Sequence, residues 1–225
     1  MFLKALVGGW LPVETPDLAA LRRSYETAGL AEAEMAATPA EQFARWFAEA
    51  VAARLPEPNA MVLATASGEG EPSARTVLLK GHDSEGFRFF TNHTSRKGRD
   101  LAENPRGSLV FPWHPIQRQV IAAGVVERLP DEESAAYFRS RPYGSRLGAW
   151  ASRQSSVLGS RAELDERYAE LAARWAVEVP VPDFWGGYLL RPATVEFWQG
   201  RGDRLHDRLR FRRTEHGWTL ERLSP

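Results

Sequence analysis

From Ala60 onward the chain changes period, and that change limits its fold more than any other feature. Upstream, Phe43, Trp46, Phe47, Ala50, Val51 and Leu55 recur every three or four residues behind Thr38-Pro39-Ala40-Glu41. That spacing behind a capping box with proline at its first helical position predicts an amphipathic helix that ends before Pro56 and turns its aromatics into a core. Downstream, Met61–Thr65, Ser73–Lys80 and Phe87–Thr91 are β-rich runs separated by the turn-forming SGEGEP and GHDSEG, which predicts a three-stranded meander. Gly107–Trp113 and Gln119–Leu129 add two strands, joined through Pro112 to Pro115. Short strands linked by turns rather than long helices favour an antiparallel barrel over a βαβ sheet. No G-x-G-x-x-G follows any strand, which argues against a Rossmann cofactor site.

The remaining segments dress this barrel with helices. Residues 1–14 read as a loose arm with a poor cleavage region, and Thr15-Pro16-Asp17 opens a helix Asp17–Ala28 stopped by Gly29. Pro130–Ser140 starts with proline and three acids, a helix N-terminus. Ser160 with Glu163 caps a helix Arg161–Trp175 that turns Leu164, Tyr168, Leu171 and Trp175 inward. Four more β-runs follow: Trp185–Leu190, Thr194–Gln199, Arg208–Arg213 and Trp218–Arg222. With no repeats and no low-complexity linker, residues 15–225 read as a single domain of α+β class.

Several chemistries drop out on composition. The 225 residues carry zero formal net charge, so no global field recruits nucleic acid or an anionic membrane. Apolar stretches fall far short of a membrane span. The absence of cysteine excludes disulfides, thiolate metal sites and a cysteine nucleophile, and fits a reducing cytoplasm. The five histidines form no H-x-x-x-H pair, so no metal site is expected, and neither a P-loop nor G-x-S-x-G is present.

What remains is an excess of anion-binding groups. Residues 191–213 hold seven arginines against three acids, and Arg201, Arg204 and Arg208 crowd into WQGRGDRLHDR (198–208) with Arg210 just beyond, directly after the apolar Val195–Trp198. Guanidinium forks, an imidazole and an indole at one place suit a planar anion, although a solvated turn with a basic rim reads equally well in isolation. Thr91-Asn92-His93-Thr94-Ser95-Arg96-Lys97 leads into a short helix ended at Asn104-Pro105, a ready phosphate cradle. Only three lysines occur in the chain, and Lys80 and Lys97 both sit at strand ends. Tyr137, Arg141 and Ser145 are spaced by four and would share a helix face, but Pro142 interrupts it. Two phosphate sites beside aromatic planes suggest a phosphorylated cofactor and a phosphorylated substrate, with the cofactor carrying the reaction.

The segments RTVLLK (75–80), FFTNHTSRKG (89–98), FPWHPIQRQV (111–120), YFRSRPYGSRLGAWASRQSS (137–156), FWGG (184–187) and VEFWQGRGDRLHDR (195–208) closely resemble the pyridoxamine 5′-phosphate oxidase family, in its order and spacing. The resemblance runs from about Leu21 to the C-terminus. It implies an FMN-binding split β-barrel, antiparallel and Greek-key-like, with peripheral helices. It also implies a homodimer with active sites at the subunit interface. The activity implied is oxidation of pyridoxamine and pyridoxine 5′-phosphates to pyridoxal 5′-phosphate, with electrons passed to dioxygen and hydrogen peroxide released.

By motif, the resemblance assigns Arg75, Thr76, Val77, Leu78, Leu79 and Lys80 to FMN, together with Phe90, Thr91, Arg96 and Lys97. Gln119, Gln154, Ser155, Trp198 and Arg208 complete that set. Lys80, Tyr137, Arg141 and Ser145 would hold the substrate phosphate. Arg204, Leu205 and His206 would flank the substrate ring, with Arg204 and His206 as the catalytic pair, and Arg22, Arg23 and Tyr25 would close over the site. Phe90 stands where some relatives have tyrosine, and Ser24 where the lid often carries an acid. A flavin reductase of the same barrel type, or a non-catalytic carrier of flavin or pyridoxal phosphate, would share part of this set.

Overall fold

A computed structural model describes residues 29–225. The helical period before Ala60 forms α1 (Pro39–Ala52), where the Glu41 amide donates to Thr38 Oγ1 and the Thr38 amide to the Glu41 carboxylate, at 3.2 and 3.1 Å. The helix plugs the concave side of the sheet. Phe43 is fully buried, with ring centroids 4.9 Å from Phe87 and 4.8 Å from Phe111, and Trp46 packs edge-on to Phe197 at 5.2 Å. Burying side chains of this size contributes on the order of 2–3 kcal/mol each. Val51, expected on the same stripe, is 52% exposed: it sits one turn beyond Phe47, which is itself only half-buried, at the outer margin of the face.

The strands are β1 (Ala60–Ala66), β2 (Pro72–Leu78), β3 (Gly81–His82), β4 (Phe87–Asn92), β5 (Arg106–Trp113), β6 (Arg118–Arg128), β7 (Trp185–Gln199), β8 (Asp207–Thr214) and β9 (Gly217–Leu223). They form one curled antiparallel sheet in the order β2-β1-β5-β6-β7-β4-β3, with β8 on β7 and β9 on β8. The expected meander is therefore wrong in its third strand. β1 pairs β2, but β4 leaves them, folds back on the two-residue β3 and pairs β7 from Phe87↔Leu190 to Asn92↔Trp185. The turn GHDSEG fixes only a local reversal. Burial chooses the distant partner, because Phe87 and Phe89 of β4 enter the same core as Leu190 and Tyr188 of β7.

A second correction concerns β7, which was expected as two strands. It is one strand of 15 residues, and the apparent break at Pro192-Ala193 is a β-bulge. Ala123 faces Thr194 and Gly124 faces Pro192, so Ala193 has no opposite number. A side chain on Gly124 would collide with the Arg191 carbonyl, which explains glycine at this point. The bulge also divides β7 by partner: its first half pairs β4 and its second half pairs β8, while β6 pairs it across the bulge from Tyr188 to Gln199.

The helices outside the barrel are α2 (Arg96–Glu103), α3 (Asp131–Ser140), α4 (Tyr143–Ala151) and α5 (Arg161–Arg174). Pro130 is the extended N-cap of α3 rather than its first helical residue. A second core of Phe138, Leu147, Val179 and Trp185 joins α3 and α4 to β7, flanked by Tyr143, Trp150, Trp175 and Phe184. α5 buries no residue fully, and Tyr168, expected inward, is exposed over Gly144 of α4. The expected helix Asp17–Ala28 lies outside the described residues.

Replacing Gly124 with alanine should cost about 1–3 kcal/mol, the usual penalty for forcing atoms into filled space. Chemical denaturation would register it as a lower midpoint with an unchanged slope; an unaltered midpoint would mean that the bulge tolerates a side chain.

Candidate active site

The break between α3 and α4 builds one wall of the site. Pro142 is the N-cap of α4, so the chain turns at Arg141 instead of continuing the α3 helix. Tyr137 from the last turns of α3, Arg141 from the corner and Ser145 from the first turn of α4 still converge, on a cleft of about 610 Å³. The opposite wall comes from Thr76, Val77, Leu78 and Lys80 on and just beyond β2, with Phe90 and Thr91 of β4. Lys97 of α2 and Gln154 of the polar loop close one end. There the cleft runs into a second of about 490 Å³, lined by Arg75, Arg96, Lys97, Gln154 and Ser155. Thr76, Lys97 and Gln154 line both.

Lys97 is turned inward and nearly buried, with Nζ donating to Gln154 Oε1 at 2.9 Å and Thr91 Oγ1 at 3.2 Å. Burial, aided by the nearby Arg75 charge, lowers its pKa to about 8. Arg96 is exposed and paired with Glu71 at 2.9 Å. Ser95 caps α2 by accepting the Gly98 amide, so the expected cradle is a helix start flanked by one buried and one exposed cation.

At the other end, Arg141 lies 4.8 Å over the Trp185 ring and 5.5 Å from that of Phe138. Its Nη1 is buried without a hydrogen-bond partner among the described residues, and burial lowers its pKa. A guanidinium held this way has donors to offer an incoming anion. Phe90 stacks on Tyr137 with centroids 4.0 Å apart and on Trp185 at 5.6 Å, making an aromatic floor between the two cationic ends.

The other assigned residues form a separate group. Gln119 faces Trp198 across β6 and β7, and Trp198 faces Arg208 across β7 and β8, so the three make a row on one face of the sheet. The adjacent Val120, Phe197 and Leu209 point the other way, into the core. Arg208 is held by a two-pronged pair with Glu196 at 2.8 and 3.1 Å. The His206 ring lies 4.7 Å from that of Trp198 and its Nδ1 accepts the Arg201 amide at 3.1 Å, which leaves the proton of the neutral ring on Nε2. The connection from β7 to β8 holds a 3-10 turn, Gly202–Arg204, with Asp203 and Arg204 both in the left-handed region at φ 54° and 61°. Arg204 is exposed, and Leu205 is 68% exposed.

One chain thus brings together Arg75, Thr76, Val77, Leu78, Lys80, Phe90, Thr91, Arg96, Lys97, Gln154 and Ser155 with Tyr137, Arg141 and Ser145. Gln119, Trp198, Arg204, Leu205, His206 and Arg208 line neither cleft. Leu79 is buried in the barrel core, and its amide and carbonyl are both bonded to Asn59, so it faces away from the cleft. Arg22, Arg23 and Tyr25 lie outside the described residues. Trp185, which carries both Arg141 and Phe90, went unassigned although FWGG marked it, and no local pattern singled out Asp100 beneath Arg75. No group of three or more metal-ligating side chains occurs among the described residues.

Residues 47–174 match the family model for pyridoxamine 5′-phosphate oxidase, and residues 185–225 match that of the pyridoxine 5′-phosphate oxidase C-terminal dimerisation region. The pyridoxine/pyridoxamine 5′-phosphate oxidase of Frankia alni is 60% identical over 93% of this chain and 90% of its own length. That of Bordetella pertussis is 59% identical over 91% and 98%. Among solved structures, PhzG from Burkholderia lata, in complex with tetrahydrophenazine-1-carboxylic acid, superposes with a TM-score of 0.82 at 35% identity, covering 86% of this chain and 95% of that one. An FMN-binding protein from Nostoc punctiforme shares the fold, with a TM-score of 0.66 at 17% identity over 85% of this chain and 100% of that one. The chain belongs to the pyridoxamine 5′-phosphate oxidase family.

Proposed function

We propose that this chain oxidises pyridoxamine 5′-phosphate and pyridoxine 5′-phosphate to pyridoxal 5′-phosphate with FMN as its cofactor. The observation that carries this reading is a pair of joined clefts with a cationic group at each end and aromatic rings between. That arrangement fits two flat phosphorylated rings rather than one. Arg75, Arg96, Lys97, Gln154 and Ser155 would take the FMN phosphate, while Thr76–Leu78, Phe90 and Thr91 would line its ring system. When bound, FMN supplies a hydride acceptor and returns the electron pair to dioxygen, with release of hydrogen peroxide.

The protein's contribution is placement. Arg141, Tyr137, Ser145 and Lys80 would clamp the substrate phosphate and so fix the substrate's reacting carbon by orientation. Trp185 would keep the Arg141 guanidinium in plane by stacking on it. Arg204 and His206 would flank the substrate ring, and the His206 tautomer set by the Arg201 amide leaves Nε2–H as a donor. Those two residues, with Gln119, Trp198 and Arg208, sit on a different face of the chain from the cleft. We therefore infer a homodimer in which the row of one copy completes the cleft of the other, with the dimerisation region supplying that row. Residues 15–225 would act as one domain, with Arg22, Arg23 and Tyr25 closing over the substrate. No helix among the described residues is long and apolar enough to cross a membrane, and a chain without cysteine suits the cytoplasm, where we place it.

Purified protein should be yellow, and its flavin absorbance should bleach anaerobically on addition of pyridoxamine 5′-phosphate and return with air. Bleaching by a nicotinamide cofactor alone would identify a flavin reductase, and colour without bleaching a carrier. Arg141→Ala should raise KM roughly tenfold to a hundredfold, the value of a charged hydrogen-bonded contact, with FMN binding nearly intact. Arg204→Ala should lower kcat as well, and full turnover in that variant would refute the division of roles.

Lys97 adds a pH dependence of known sign. An anion favours its protonated form and raises its pKa above the value of about 8 in the free site. FMN affinity should then be full below that value and decline as pH rises through it, with proton uptake on binding measurable by calorimetry near pH 8. The flavin phosphate is already a dianion there, having lost its last proton at about pH 6. Lys97→Met should weaken FMN binding and flatten the profile. A wild-type affinity that stays constant from neutral pH well into the alkaline range would remove Lys97 from the phosphate site.

A further inference from the structure

Asp100 is a carboxylate only 5% exposed, on the α2 face that packs against β1 and β2. Its Oδ2 accepts two hydroxyl hydrogens, from Thr65 Oγ1 at 2.6 Å and from Ser73 Oγ at 2.8 Å. Thr65 and Ser73 are register partners across β1 and β2, with their oxygens 3.2 Å apart. Arg75, two residues further along β2, bonds to both. Nη1 donates to Thr65 Oγ1 at 2.8 Å and to the Leu63 carbonyl at 3.1 Å, and Nη2 donates to Ser73 Oγ. Nη2 also lies 3.9 Å from Asp100 Oδ2.

The direction of these bonds follows from donor counting. A hydroxyl has one hydrogen, and an ionised carboxylate can only accept. Both hydroxyl hydrogens are therefore committed to Asp100, and the lone pairs of both oxygens are turned to Arg75. Burial pushes the Asp100 carboxyl pKa up, but the two hydroxyl bonds and the Arg75 and Arg96 charges outweigh it, and the group stays ionised. Three of the five guanidinium hydrogens of Arg75 are used within this network, which leaves the Nε hydrogen and one on Nη2 for a ligand in the cleft that Arg75 lines. Without the carboxylate, each hydroxyl could turn its hydrogen toward the guanidinium and release it.

We propose that Asp100 is a positioning residue for the cofactor phosphate: through Thr65 and Ser73 it locks the guanidinium of Arg75 at the wall of the cleft. The inference rests on the reading of that cleft as the FMN phosphate site. It implies that an acid beside an anion site strengthens anion binding by ordering a cation, against its own Coulombic repulsion.

The test compares FMN with riboflavin, which lacks the phosphate, by fluorescence titration of the full chain freed of flavin. Asp100→Ala should weaken FMN about tenfold and riboflavin less than about twofold, because only one charged hydrogen-bonding contact is disordered. Asp100→Asn, which keeps an acceptor oxygen in place, should stay within about threefold of wild type for both ligands. Equal weakening of both ligands by Asp100→Ala would mean a merely structural role, and an unchanged or tightened FMN affinity would overturn the proposal outright. If Asp100→Ala does not fold, Ser73→Ala, which removes one relay hydroxyl, should still lower the preference for FMN over riboflavin, and an unchanged preference there also overturns it. Arg75→Ala separates the two levels. Loss of the FMN preference in Arg75→Ala but not in Asp100→Ala defeats only the role of Asp100. Retention of the preference in Arg75→Ala defeats the assignment of the cleft and the inference with it.

Discussion

The hydrogen bonding of β7 to three partners is the constraint on which the other parts of the molecule depend. β6 runs along one edge from Tyr188 to Gln199, whereas the other edge is shared between β4 and β8 on either side of the bulge. The half paired with β4 carries Trp185, Gly186 and Gly187, against which Phe90, His93, Ser134 and Leu129 close. A side chain on Gly187 would stand 2.8 Å from the Phe90 ring, so the absence of one lets the aromatic floor of the cleft lie flat on the sheet. The half paired with β8 carries Trp198 outward and Phe197 inward. One strand thus supports both the cleft and the separate row, and the bulge at Gly124 sets their relative placement. Local twist increases at a bulge, so its position along the strand is a geometric parameter of the site.

Arginine dominates the cations, and the structure shows how its donors are managed. Buried acids hold the guanidinium groups in fixed orientations: Asp100 beneath Arg75, Glu196 against Arg208, and Asp207 between Arg201 and Arg222. Asp207 also accepts the Leu30 amide at 2.9 Å, and Arg222 donates to the Leu30 carbonyl and to Glu32, fastening the segment next to Gly29 onto the turn that bears His206. Taking such pairs out of water costs nearly what their attraction returns, so their value lies in orientation more than in stability. Arg141 is held differently. It has aromatic rings instead of an acid, and its unmatched Nη1 keeps its full charge for an incoming anion. A countercharge there would compete with the ligand.

The elements were legible in the sequence where local physics decides them. The α1 cap, the period change at Ala60 and the Ser95 and Ser160 caps all needed only neighbours within one turn. Pairing was less legible, because β4 chooses β7 over β2 through a core contact nearly a hundred residues away in the chain. Pro192-Ala193 looked like a strand break because proline removes a ladder donor, yet a bulge absorbs that loss without ending the strand. Every residue of the motif RTVLLK except Leu79 lines the joined clefts, because alternation along an extended chain turns one residue of a contiguous motif into the core. Gln119, Trp198, Arg204, Leu205, His206 and Arg208 line neither cleft. Asp100 escaped because its meaning lies in two hydroxyls on other strands, which no spacing within α2 encodes.

That the assigned residues fall into two groups on one chain is itself informative. Side chains that must meet a single ligand are held by one fold only if its surfaces face each other, and here the row on β6, β7 and β8 lies outside both clefts. A half-exposed indole, a 68% exposed Leu205 and an arginine already neutralised by Glu196 make up a surface that is costly to leave in water and cheap to cover. The same chain offers a cleft in which Arg141 Nη1 is buried without a hydrogen-bond partner among the described residues. The proposed twofold pairing of identical chains would bring the row of each copy to the cleft of the other with a single self-complementary contact. In the proposed homodimer β7 would contribute to two sites at once, through Trp185 at the cleft and through Trp198 in the row.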